Sequence, residues 1–193
     1  RLGFKVGPGN YSAELFRQIE GNYTSISDKV AFEVIQSGNS ALKGSSPDEV
    51  VKHWKKVWSL RAKTSDFEND LKDTRNTIDV LLKAYDKATS SDKNLHGELI
   101  SLREQILDLV QQIRGSKARS EVGEKNEYPT IGDYIWRSSN TGSTYGPTKT
   151  QLNSLESANL LFDQMTMKLN GIKVSMAPME NKLSKIGAPR IKK

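Results

Sequence analysis

Apolar residues recur every second position near the start of this chain, and every third or fourth position from about residue 47 onward. In "NYSAEL" Tyr11, Ala13 and Leu15 alternate with polar neighbours; in "VAFEVI" Val30, Phe32 and Val34 do the same. A period of two is that of a strand with one covered face. "GPGN" before the first run reads as a turn at Pro8 and Gly9, and "IEGNYTS" between the runs carries a Gly-Asn turn signal. Residues 1–36 are therefore expected to be β. Two strands are marginal on their own, so they need a missing sheet or the helices that follow.

"QSGNSALKGSS" has the composition of a linker, covering 37–46. The pattern then changes period. Ser46 is the expected N-cap of a long helix, Pro47 takes its first position, and Asp48 and Glu49 complement the positive end of its dipole. No further Gly or Pro interrupts the helical pattern until about Lys87. Its second half repeats as Phe67, Leu71, Thr74, Ile78, Leu81 and Tyr85. A second helix shows the same alternation through Leu95, Leu99, Leu102, Ile106, Leu109 and Ile113, with Gly115 as its C-cap. Residues 116–129 are polar and without period. "PTIGDYIWRSS" predicts a short helix capped by Thr130, with Asp133 completing an acidic capping box.

A glycine- and hydroxyl-rich stretch, "SSNTGSTYGPTKTQ", leads to the last helix, capped by Thr148. That helix carries Leu155, Ala158, Phe162, Met165, Leu169, Ile172, Met176, Met179, Leu183 and Ile186 in one register. Pro178 should kink it without breaking the seam. The expected fold is mainly α: an elongated antiparallel three-helix bundle over 47–187, bridged by the short helix and preceded by a small β-hairpin piece, with a basic tail at 188–193.

Composition changes this picture little. The 193 residues are 35% hydrophobic, thin for a globular core but normal for helices that bury one stripe each. There is no cysteine, which excludes disulfides and thiolate metal sites. No apolar run approaches a membrane span. The chain opens at Arg1, without Met, inside a strand-like region, which suggests a fragment or a processed product. A net charge of +6 arises from 29 basic and 23 acidic residues, a mixed surface more than a basic one, and no nucleic-acid partner is expected.

Candidate chemistry is sparse. A phosphate-binding P-loop needs four residues between its glycines and a lysine directly after the second. Gly142 and Gly146 have three between them, and Pro147 and Thr148 separate Gly146 from Lys149. His53 and His96 each stand alone, without metal-ligand spacing. Lys52, Lys55, Lys56 and Lys63 form one helical face, apart from Val50, Trp54, Val57 and Trp58, which read as the buried one. That lysine face reads as solvated, with an anion or nucleic-acid site as its alternative. Asp66, Asp70 and Asp73 could be read as acid–base pairs, but Glu68 with Lys72 and Asp79 with Lys83 have the spacing of surface ion pairs. No catalytic, cofactor or metal residue is assigned.

"GPGNYSAEL" and "VAFEVI" together resemble the closing strands of an immunoglobulin-like module. "EYPTIGDYIW", "STYGPTKTQLNSLESA" and "IGAPR" resemble the C-terminal region of large bacterial Asp-box (BNR) repeat proteins, sortilin-like β-propeller proteins often labelled glycosyl hydrolases or sialidase-like. The resemblance implies an extracytoplasmic location and upstream domains of the same polypeptide as partners. It carries over no catalytic residue, because no strict Asp-box (S-x-D-x-G-x-T-W) occurs. Three functions follow: a non-catalytic structural or interaction module; an accessory part of a glycoside hydrolase; an anion-binding coiled-coil adaptor. For carbohydrate or partner contact the candidates are Glu127, Asp133, Tyr134, Trp136 and Tyr145. Exposed helical seams are candidates for a homodimer contact.

Overall fold

The computed structural model describes residues 6–36, 44–139 and 146–189. Tyr145, residues 37–43 of the linker and residues 190–193 of the basic tail lie outside them. The chain is mainly helical, with a small antiparallel hairpin region at its N-terminal end.

That region has four strands: β1 (Gly9–Ala13), β2 (Phe16–Ile19), β3 (Asn22–Ser25) and β4 (Val30–Val34). β1 pairs with β4 and β2 with β3, both antiparallel. The two ladders are nested into one long ribbon, joined by the Ile26 N–H donating to the Leu15 carbonyl at 2.9 Å. Between them the returning strand carries three residues, Ser27 to Lys29, opposite Glu14 alone, and so bulges. Polar side chains hold the bulge: Leu15 N–H donates to Ser27 Oγ, and the Ser25 hydroxyl to Glu14. The tip differs from the Gly-Asn expectation. The two loop residues are Glu20 and Gly21, both at positive φ (49° and 85°), and Asn22 already belongs to β3. Two positive φ values define the turn whose twist matches that of a hairpin.

Helix α1 spans Pro47–Tyr85, 39 residues and about 58 Å. Ser46 and Glu49 close a capping box on it. α2 (Lys93–Arg114) starts at Asp92, whose carboxylate accepts from the N–H groups of Asn94 and Leu95. α3 (Lys117–Glu121) is a single short helix that the polar 116–129 stretch conceals, because none of its residues is buried. α4 (Ile131–Ser138) begins at Thr130, and α5 (Lys149–Met176) at Thr148 with Gln151. α6 (Met179–Lys185) follows Pro178, where the expected kink is a full break into two helices. Proline has no N–H for the carbonyl one turn back. Met179 and Leu183 are nevertheless buried in the seam of α5.

Ion pairs fix the directions. Arg103 of α2 meets Asp79 of α1, and Arg114 meets Glu68, so the two helices run antiparallel. Lys168 pairs with Asp108 and Lys182 with Glu98, so α5 and α6 run antiparallel to α2. Phe67 packs edge-on to Phe162 at 5.8 Å, and Ser90 N–H donates to the Ile186 carbonyl, which sets α5 and α6 along α1. These pairs correct the expected ones. Glu68 reaches Arg114 and Asp79 reaches Arg75 and Arg103, not Lys72 and Lys83. Arg103 and Arg114 belong to the neighbouring helix α2, whereas Arg75 lies one turn before Asp79 on α1 itself.

One apolar cluster unites the helices. All six α2 positions read from the sequence are buried, as are Phe67, Leu71, Thr74, Ile78 and Leu81 of α1. The first half of α1 departs from expectation. Its buried side chains are His53, Val57, Leu60 and Thr64, while Val50, Trp54 and Trp58 are only half-buried. Stepping back from Phe67 by threes and fours gives these positions, but two of the four are polar, which hides the seam. Thr64 satisfies its hydroxyl on the Leu60 carbonyl at 2.9 Å, which makes burial tolerable.

Candidate functional site

α4 carries three of the expected contact residues, and it turns them different ways. The Asp133 carboxylate accepts from both the backbone N–H and the hydroxyl of Thr130, each at 2.8 Å. It is occupied in starting the helix. Tyr134 packs on the apolar cluster, with the Arg137 guanidinium 5.9 Å from its ring centre. Trp136 points outward and is 66% exposed. Glu127 lies on the segment before α4 and pairs with Arg119 at 3.8 Å. These four residues do not converge, and Tyr145 lies outside the described residues.

Glu127 instead belongs to a cleft of about 300 Å³ between the end of α2, α3 and the 126–130 segment. Asp108, Arg119, Asn126 and Tyr128 share it. Its polar groups are largely engaged with one another. Asp108 accepts from Gln112 at 2.8 Å and meets Lys168 at 3.6 Å; Asn126 Oδ1 accepts from Ser116 N–H at 2.9 Å. Both carboxylates face cations, Glu127 towards Arg119 and Asp108 towards Lys168.

His53 is the site that sequence reasoning missed. It is buried where α1 meets α4, with Nε2 2.9 Å from the Ser138 carbonyl oxygen. A carbonyl only accepts, so Nε2 carries the proton and donates. Nδ1 is buried and without a partner among the described residues. The Ser138 hydroxyl donates to the Ile135 carbonyl, away from the ring. Among the described residues no nucleophile is hydrogen-bonded to the imidazole, and the contact fastens α4 to α1. The seam spacing back from Phe67 was the signal for it.

Another concavity lies along the first half of α1, about 730 Å³, lined by Asp48, Val51, Lys52, Lys55, Lys56, Ser59, Leu60 and Lys63, with Asn159 of α5 opposite. It is a shallow, open groove. Among the described residues, no three His, Asp or Glu side chains are grouped to hold a metal ion, and no helix is long and apolar enough to cross a membrane. No family model matches the chain, and neither a curated protein nor a solved structure matches it.

Proposed function

We propose that the chain is a non-catalytic structural and interaction module: the C-terminal part of a large extracytoplasmic β-propeller protein of the Asp-box class. In this reading α1, α2 and α5–α6 form an elongated antiparallel three-helix bundle, with α4 as the bridge. The ribbon is the closing pair of an immunoglobulin-like sandwich whose other strands lie elsewhere in the same polypeptide.

One observation carries the reading. The helices bury their apolar seams against each other, whereas the ribbon leaves its own uncovered. Leu15, Phe16, Ile19, Ile26, Val30 and Phe32 are all about half exposed or more. Within the β1–β4 ladder Tyr11 and Ala13 lie opposite Phe32 and Val30, and the Tyr11 and Phe32 rings stack at 5.9 Å. By strand alternation Tyr11, Ala13, Leu15, Ile26, Val30 and Phe32 fall on one face, and apolar side chains left this exposed on so small a sheet point to a docking face. The accessory glycosidase reading draws less support, because Asp133 is committed to its cap and the aromatics of α4 diverge.

Serine in place of Ile26 and Phe32 tests it. These side chains have little to lose within the chain itself, so thermal unfolding of the helices followed by circular dichroism should keep its midpoint. A midpoint lowered as far as a core truncation lowers it would make the ribbon an integral part of the helical fold and sink the proposal.

A further inference from the structure

The net charge of this chain is not spread over it. Residues 50–65 carry Lys52, Lys55, Lys56, Arg61 and Lys63 and no acid, against a whole-chain excess of six. The remainder is close to neutral. Where α1 faces α2 and α5–α6, charges are matched: Asp70, Glu68 and Asp79 each meet a cation from a neighbouring helix. In the lysine groove, lined by the single acid Asp48 beside four lysines, three of the lysines lack such matching. Lys52, Lys56 and Lys63 make no ion pair with any described residue. Glu49, the one acid beside Asp48 at the start of α1, is turned back to the Ser46 cap.

We infer that this groove binds a linear acidic polysaccharide. Lys52 to Lys63 span about 16 Å of helix, so a chain laid along the groove meets several cations at once. Ser59 and Asn159 add a hydroxyl and an amide between them. The cations are lysines, hydrated point charges that suit flexible anionic groups more than the bidentate reading done by arginine. Arg61 is turned away over the Trp58 ring at 5.7 Å. No aromatic side chain lines the groove, and single-stranded nucleic acid is held by such stacking platforms. The surface is concave, which suits a strand more than a flat bilayer. The inference does not depend on the propeller-protein reading, since it uses only the helical part.

The test is binding of the whole chain to fluorescent heparin, with single-stranded DNA as a second probe, over a salt series. Heparin should bind at low salt. Log affinity should fall linearly with log salt, and the slope should shrink by about one for each lysine removed. Lys52→Glu with Lys56→Glu should weaken binding at least about tenfold. Lys87→Glu with Lys125→Glu makes the same change in net charge at exposed positions outside the groove and should leave binding nearly intact. All four side chains are exposed, and unchanged helical circular dichroism checks the fold. No heparin binding at low salt overturns the inference. So does equal loss in the control pair, which would mean net charge alone, or tighter binding of DNA than of heparin at equal salt.

Discussion

Replacing Ile106 with Ala should lower the unfolding free energy by about 2–5 kcal/mol, read as a clear drop in the urea midpoint. Ile106 is wholly buried, in the middle of the continuous apolar row of α2. Truncation removes three carbons from a cluster built on all the long helices. Rigid helices cannot close around the space left behind, so a cavity cost adds to the lost transfer energy. Met167 of α5 provides the contrast. It lies on the outer face, 67% exposed, so Met167→Ala should stay within about 0.5 kcal/mol of the parent. Equal effects at the two positions would mean that the seam is not where the structure puts it.

The second large effect is expected at Gly115, between α2 and α3. Its backbone has φ 78° and ψ −178°, a region open essentially to glycine alone. A Cβ there would stand 2.1 Å from Asn126 Nδ2. Asn126 cannot swing aside freely, because its Oδ1 accepts from the N–H of Ser116. Gly115→Ala therefore combines backbone strain of about 1–3 kcal/mol with a hydrogen bond worth about 1 kcal/mol. Chemical denaturation should show the sum of these. Gly97, inside α2, has open space where its Cβ would be. The same change there should stabilise the protein by about 0.5–1 kcal/mol. Opposite signs for one substitution at two glycines is the expected pattern.

Much of the helical fold was legible because long seams repeat without interruption. The α2 row from Leu95 to Ile113 and the α5–α6 row from Leu155 to Leu183 could be read position by position. The caps at Ser46, Thr130 and Thr148 were legible because each places a hydroxyl residue just before an apolar-periodic run. The start of α1 was not. Two tryptophans and two valines drew the eye to one face, while the seam passed through His53 and Thr64: Thr64 bonds back to the Leu60 carbonyl one turn earlier, and His53 Nε2 reaches the Ser138 carbonyl, 85 residues away, which no local pattern reveals. The hairpin tip slipped by one residue, because Glu20 adopts a left-handed conformation usually left to Gly or Asn. The candidate contact residues were grouped by nearness in sequence. Distances then showed that Asp133 serves its own helix and that Trp136 and Tyr134 point apart.

Amide hydrogen exchange on the whole chain tests the central claim most directly, since the proposed module has a self-sufficient helical part and a ribbon that needs outside cover. Amides of α2 and of the facing part of α1 should be the slowest, opening only with global unfolding. The ladder amides of residues 9–34 should exchange orders of magnitude faster, through local opening of a two-stranded ribbon. Ribbon amides as slow as those around Ile106, under conditions where the chain is monomeric, would mean that the ribbon is already complete. That result would contradict the account.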